Sequence, residues 1–295
     1  MFKLAQIYKY LFYFSGILLI AGIVSLSVYG LRLGIDFRGG TITELEFKEK
    51  PNVSEIREIL ATKFSPTPLV QESGDRGLII RTEPMEKEKH DELVAAIRPF
   101  GEFEEKHFES IGPVIGADLK SNALKQLAYV SVGILLYISY AFRKVSRPLS
   151  AFQMGTAAII ALLHDLLIVL GVFSILGHFK GIEVDSLFVT AMLTVLGFSV
   201  HDTIVVFDRI RENMRVMGRE SLETIVNHSI SQTIVRSLNT SLTVLFVMLA
   251  MLIFGGESIK NFALALFIGI AIGTYSSIFV ASPTLLLWEK FRKRK

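Results

Sequence analysis

Six apolar runs, each long enough to cross a bilayer core, limit this 295-residue chain to a membrane fold. They lie at Leu11–Leu31, Leu124–Phe142, Leu149–Leu176, Leu187–Phe207, Val235–Phe254 and Phe262–Leu287. Hydrocarbon offers backbone N–H and C=O groups no water, so segments of this length cross as helices and the sequence predicts an all-α bundle of six. The first run continues through Tyr29 and Leu31 into Arg32 and lacks the short apolar centre and small-residue cleavage site of a signal peptide, so it is expected to stay as a span. Three regions follow: residues 1–31 with the first span, a soluble-looking insert at 32–123, and 124–295 with the other five spans, a polar loop at 208–232 and a basic tail.

The insert alternates between element types. GIDFRGGTITELEF, Gly34–Phe47, places Gly39 and Gly40 before a β-branched run, which suits a turn leading into a strand. Asn52 is positioned to cap a helix and Glu55, three residues on, to close a capping box, with Val53, Ile56, Ile59 and Leu60 on one face. Pro68–Gln71 and Leu78–Arg81 read as strands around a Ser-Gly-Asp turn, Glu86–Arg98 as a second helix and Phe103–Phe108 as a last strand. Strand, helix, strand, strand, helix, strand is the ferredoxin-like order. No residues here have the spacing of a metal or nucleophile site.

Charge predicts the orientation. Lys3, Lys9, Arg143, Lys144, Arg147, Arg209, Arg211, Arg215, Arg219, Lys290 and Arg292–Lys295 flank the spans on the side of the termini, whereas the opposite short loops hold Lys180 and Lys260. The positive-inside rule then puts both termini in the cytoplasm and the insert outside. Between spans four and five, Gly218 divides a polar segment into two helical pieces; Ile210, Met214 and Met217 opposite the arginines suggest an amphipathic stretch on the inner leaflet. The basic residues gather at span ends rather than in a stripe, which argues against nucleic acid as a partner. Cysteine is absent, which excludes disulfides, thiolate zinc sites and cysteine nucleophiles.

Within the spans, Leu193–Met214, LTVLGFSVHDTIVVFDRIRENM, carries an acid inside an apolar run. A carboxylate in hydrocarbon is costly unless paired, protonated or wetted, so Asp202 is a functional candidate; the plainer alternative is a water-lined helix end. Arg236 enters span five at a similar depth, where it is placed either to pair with Asp202 or to anchor at the interface. His164 and Asp165 fall near the middle of span three and His201 precedes Asp202. Adjacent helical residues point about 100° apart, so neither His-Asp pair makes a two-ligand face; for His164 and Asp165 a helix-packing hydrogen bond is the alternative. HExxH is missing, so metallopeptidase ligand spacing is not met and no enzyme, metal or cofactor is expected.

GIDFRGGT at Gly34–Thr41, IGPVIG at Ile111–Gly116, LLHDLLIVLGVFSILG in span three, GFSVHDTIVVFDRIREN in span four and FGGESIKNFALALFIGIAIGTYSSIFVAS near the end resemble bacterial SecF, in the same order over nearly the whole chain. The resemblance implies a six-helix RND-type bundle with a ferredoxin-like periplasmic domain, in the bacterial inner membrane. It implies pairing with SecD beside a SecYEG-type translocon and use of the proton motive force to help exported, unfolded polypeptide across. On that likeness Asp202 is the proton-binding carboxylate and Arg236 its arginine; His201, Asp165 and His164 are further relay candidates by their own place in the spans. Asp36, Gly39, Gly40 and Thr41 belong to the family motif, and Gly112, Pro113 and Gly116 are candidate hinge residues. His201 stands where the family usually carries Asn. Protons are the expected coupling ion and sodium stays open; a small-solute transporter and a passive translocon scaffold are the alternative functions.

Overall fold

The computed structural model describes residues 4–143 and 149–293. Lys3, Lys144, Arg147, Arg294 and Lys295, which entered the charge argument, lie outside the described residues. The chain divides into two compact units, one of residues 33–124 and one of residues 1–32 with 125–295.

In order, the elements are α1 (Leu4–Val28), a short α2 (Ile35–Arg38), β1 (Gly40–Phe47), α3 (Val53–Lys63), β2 (Leu69–Ser73), β3 (Gly77–Thr82), α4 (Lys87–Ile97), β4 (Phe103–Ile111), α5 (Pro113–Ala141), α6 (Ala151–Lys180), α7 (Ser186–Val216), α8 (Leu222–Phe254), α9 (Glu257–Ser276) and α10 (Ser282–Lys293). A π-helical turn at Ser277–Ala281 joins α9 to α10, so the two make one continuous rod. Among the described residues six helices are long and apolar enough to cross a membrane, the last spanning Ser258–Lys290.

In the 33–124 unit, the four strands form one sheet in the order β2-β3-β1-β4 with every neighbour antiparallel. Strand side chains alternate, so Leu45, Phe47, Val70, Leu78 and Ile80 all face α3 and α4, where they pack with Ile56, Leu60, Leu93 and Ile97. The expected capping box at Asn52 does not form. Its amide donates to Glu55 Oε1 at 2.7 Å instead of accepting from the helix backbone, so the two side chains satisfy each other. A true capping box closes at Ser150 and Gln153, at the start of α6.

The membrane unit has a different correction. The 208–232 segment is not a surface-lying pair: α7 runs on to Val216 and α8 starts at Leu222, so the segment prolongs both helices as a hairpin. Its apolar stripe finds a partner stripe across the turn, and Ile210 and Met214 are buried with Leu222, Ile225, Val226 and Ile230. Buried Asn213 donates through Nδ2 to Ser229 Oγ and Gln232 Oε1, both at 2.9 Å, and ties the arms together. Burial against protein removes the apolar face that would have rested on lipid.

Candidate functional site

Close helix approach comes first, because it brings the polar side chains within reach. A Cβ on Gly269 of α9 would sit 2.3 Å from Val195 Cγ2 of α7, and one on Gly273 would sit 3.0 Å from Ser199 Cβ. Glycines four apart therefore let α9 press against α7, the small-xxx-small device of membrane helices. Gly171 of α6 similarly meets Gly22 of α1, where an added Cβ would lie 2.4 Å from the other's Cα.

In that seam Asp165 is 0% exposed. Its Oδ2 accepts from Ser199 Oγ of α7 at 2.6 Å and from Ser276 Oγ of α9 at 2.8 Å, and its Oδ1 lies 2.9 Å from His164 Nδ1. Three helices thus converge on one carboxylate. His164 is also buried, and its Nε2 has no hydrogen-bond partner among the described residues. Its ring lies 6.4 Å from that of Tyr275, whose hydroxyl donates to the Leu11 carbonyl at 2.9 Å and meets Ser15 Oγ at 3.1 Å.

Asp202 is buried on α7, one oxygen accepting from Ser237 Oγ of α8 at 2.5 Å. The other, Oδ2, is buried without a hydrogen-bond partner among the described residues. Arg236 does not supply one: it is exposed, as is His201, and among the described residues no ion pair joins Arg236 to Asp202. The reason is helical phase, since neighbours on a helix point about 100° apart and it is Ser237 that faces α7. The depth argument put the pair at one level but did not fix which α8 residue turns inward.

Hydroxyls extend the seam. Thr203 Oγ1 and Ser277 Oγ are 2.8 Å apart, Ser277 Oγ donates to the Ser199 carbonyl at 3.3 Å, and Ser241 Oγ meets Thr274 Oγ1 at 2.5 Å. None of these serines and threonines was singled out from sequence. The available signal was Ser237 and Ser241 four residues apart, and adjacent Ser276 and Ser277, inside apolar runs where a hydroxyl needs a partner. Among the described residues no group of three or more His, Asp or Glu side chains is arranged to hold a metal ion.

The Gly-Gly motif is a lock on the 33–124 unit. Gly39 has φ +78° and ψ +157°, a region essentially reserved for glycine, and Gly40 has φ +146°. A Cβ on Gly39 would stand 2.9 Å from Pro113 Cα, and one on Gly116 would stand 2.9 Å from Gly39 N. Thr41 Oγ1 meets Ser110 Oγ at 2.8 Å and accepts from the Met85 N–H at 3.1 Å, while Asp36 is buried in α2. This is the turn that composition alone suggested, with backbone packed on backbone. Of the expected hinge residues, Pro113 and Gly116 lie in α5, which begins at Pro113, and pack against Gly39, while a Cβ on Gly112 would meet nothing within 4 Å.

A multi-pass bundle whose spans enclose hydrogen-bonded carboxylates, with a small sheet domain inserted after the first span, is the architecture of an RND-type membrane protein. Residues 92–291 match the family model for the protein export membrane protein SecD/SecF, C-terminal, and residues 24–50 match that for the SecD/SecF GG motif. The protein translocase subunit SecF of Thermobaculum terrenum is 48% identical over 298 residues, covering 96% of this chain and 92% of its own length. That of Vibrio alginolyticus is 40% identical, covering 94% and 87%. The crystal structure of SecDF, a translocon-associated membrane protein from Thermus thermophilus, superposes with a TM-score of 0.86 at 32% identity over 98% of this chain. The chain spans 39% of the length of that SecDF chain. A SecDF structure in a super-membrane-facing form gives a TM-score of 0.71. The chain belongs to the SecD/SecF protein-export membrane family, on its SecF side, and is a multi-pass protein of the bacterial inner membrane.

Proposed function

We propose that this chain is the SecF-like half of a proton-driven export device, working with a SecD-like subunit beside a SecYEG-type translocon on unfolded polypeptide. The observation that carries the reading is the pair of buried carboxylates, Asp165 and Asp202, held by hydroxyls from neighbouring spans, with one oxygen of Asp202 unpartnered among the described residues. A carboxylate in that setting changes its hydrogen bonds whenever it gains or loses a proton, and the helices that supply them must adjust. One proton crossing 100 mV releases about 2.3 kcal/mol, enough to bias a two-state element substantially.

Arg236 and His201 are polar groups exposed on spans. In our reading the SecD-like partner covers them. Support comes from the Thermus SecDF structure, whose chain is longer and includes a region that superposes on this one. We read residues 33–124 as a ferredoxin-like domain on the periplasmic side; the element order and the sheet order β2-β3-β1-β4 support the fold, and the basic span ends support the side. The protein performs no covalent chemistry in this reading. The test is export driven by an imposed proton gradient in inverted vesicles holding the chain and its partner. Asp202→Asn is expected to remove the gradient-driven increment, and undiminished export by that variant would reject proton coupling at this residue in favour of a passive scaffold. Replacing the proton gradient by a sodium gradient identifies the ion.

A further inference from the structure

Ser276 and Ser277 are consecutive, yet they serve different helices. Ser276 Oγ donates to Asp165 Oδ2 of α6 at 2.8 Å, while Ser277 Oγ meets Thr203 Oγ1 of α7 at 2.8 Å and the Ser199 carbonyl at 3.3 Å. Ser199 Oγ closes the circuit on Asp165 at 2.6 Å, and Thr203 directly follows Asp202. The two serines stand where α9 gives way to the π-helical turn Ser277–Ala281. Such turns are rare and gather at functional sites.

We propose that Ser276 and Ser277 are positioning residues that transmit the proton state of Asp165 to the turn of α7 bearing Asp202. This rests on the proton-coupled reading above. Ionised, Asp165 accepts from both serines; with a proton on Oδ2 that oxygen donates to one hydroxyl and accepts from at most one, so one of the two bonds must reverse or break. Ser276 has an alternative acceptor, the Gly273 carbonyl at 3.1 Å on its own helix. Asp165 is 0% exposed, so bulk solvent does not take the released place. A hydroxyl turning from Asp165 to Gly273 loosens α9 from α6, and the next residue, Ser277, carries that shift to Thr203. The groups that face Asp165 are His164 from its own helix, Ser199 from α7, and Ser276 from α9, with Tyr275 behind the imidazole.

The test measures gradient-driven export against pH, with the full chain and its partner in inverted vesicles. It compares Asp165→Asn, Ser276→Ala, the double variant and Ser282→Ala. Ser282 is a buried hydroxyl that donates to the Ser277 carbonyl, so its removal controls for a purely structural loss. Deleting a hydrogen bond to a charged group is expected to displace the pH profile of Ser276→Ala by about one unit or more. The double variant should export no more slowly than Asp165→Asn alone, and Ser282→Ala should keep the wild-type profile. Ser276→Cys, close in size and a poor donor, replaces Ser276→Ala if that variant does not assemble. If Asp165→Asn loses export while Ser276→Ala keeps the wild-type profile, or if the two losses multiply, the transmission role is overturned and the relay stands. If Asp165→Asn exports normally, the relay reading at Asp165 falls, and the transmission with it.

Discussion

Replacing Gly39 by Ala tests whether the Gly-Gly turn is a lock. Gly39 occupies φ +78°, ψ +157°, where a side chain costs about 1–3 kcal/mol. Its Cβ would also stand 2.9 Å from Pro113 Cα, 3.0 Å from Pro113 N and 3.2 Å from the Ile111 carbonyl. These are backbone atoms that cannot swing aside, and overpacking of this kind typically adds about 1–3 kcal/mol. The total of about 2–6 kcal/mol should raise amide exchange in β1 by about 30-fold or more, at 1.4 kcal/mol per decade. Gly74 is the control: it has φ +65° with nothing within 4 Å, so Ala there carries the conformational cost alone, about 1–2 kcal/mol. The assay is hydrogen exchange of Thr41–Phe47 in the full chain in nanodiscs. Equal loss of protection in Gly39→Ala and Gly74→Ala would refute the packing argument.

Gly269→Ala should force α7 and α9 apart at Val195 and cost about 1–3 kcal/mol of stability in detergent; Val195→Ala in the same chain should restore most of it, while Gly197→Ala, with nothing within 4 Å, should change little. Failure of that rescue would place the strain elsewhere. The Lys48 ammonium, bonded to Glu102, holds the Glu102 carboxyl below its ordinary value of 4.5. A depressed carboxyl contributes stability above its unfolded value that is lost as pH falls through the folded one, so this pair weakens only in acid. In Lys48→Met, carbon-detected NMR should find Glu102 back in the ordinary carboxylate range, and 1 M salt should move the wild type the same way, since the screening length is then about 3 Å. A Glu102 titration identical in both chains would dismiss the pairing. The export tests of Asp202→Asn and Ser276→Ala complete the set.

Amphipathic periodicity and turn residues located the strands and helices of the 33–124 unit to within a few residues, because β-branched runs and glycines act locally. The span ends were less legible. Helix α5 starts at Pro113 rather than near Leu124, and α7 and α8 run beyond their apolar blocks, because a helix continues wherever its backbone bonds persist, and α7 and α8 also keep a face packed on each other. At the site, Asp165 and Asp202 stood out, since an acid in an apolar run is rare whatever surrounds it.

What the sequence determined by itself was composition along a line: six runs too apolar for water, two acids too polar for oil, and a Gly-Gly pair that suits a turn. Which residues answer those acids was decided by the tertiary structure. Serine, present throughout the spans, gives no sign in sequence of which copy faces a carboxylate; helix rotation and the glycine-permitted approach of α9 to α7 selected Ser199, Ser237 and Ser276. A difference of about 100° between neighbours on α8 was enough to turn Ser237 toward Asp202 and leave Arg236 on the outside.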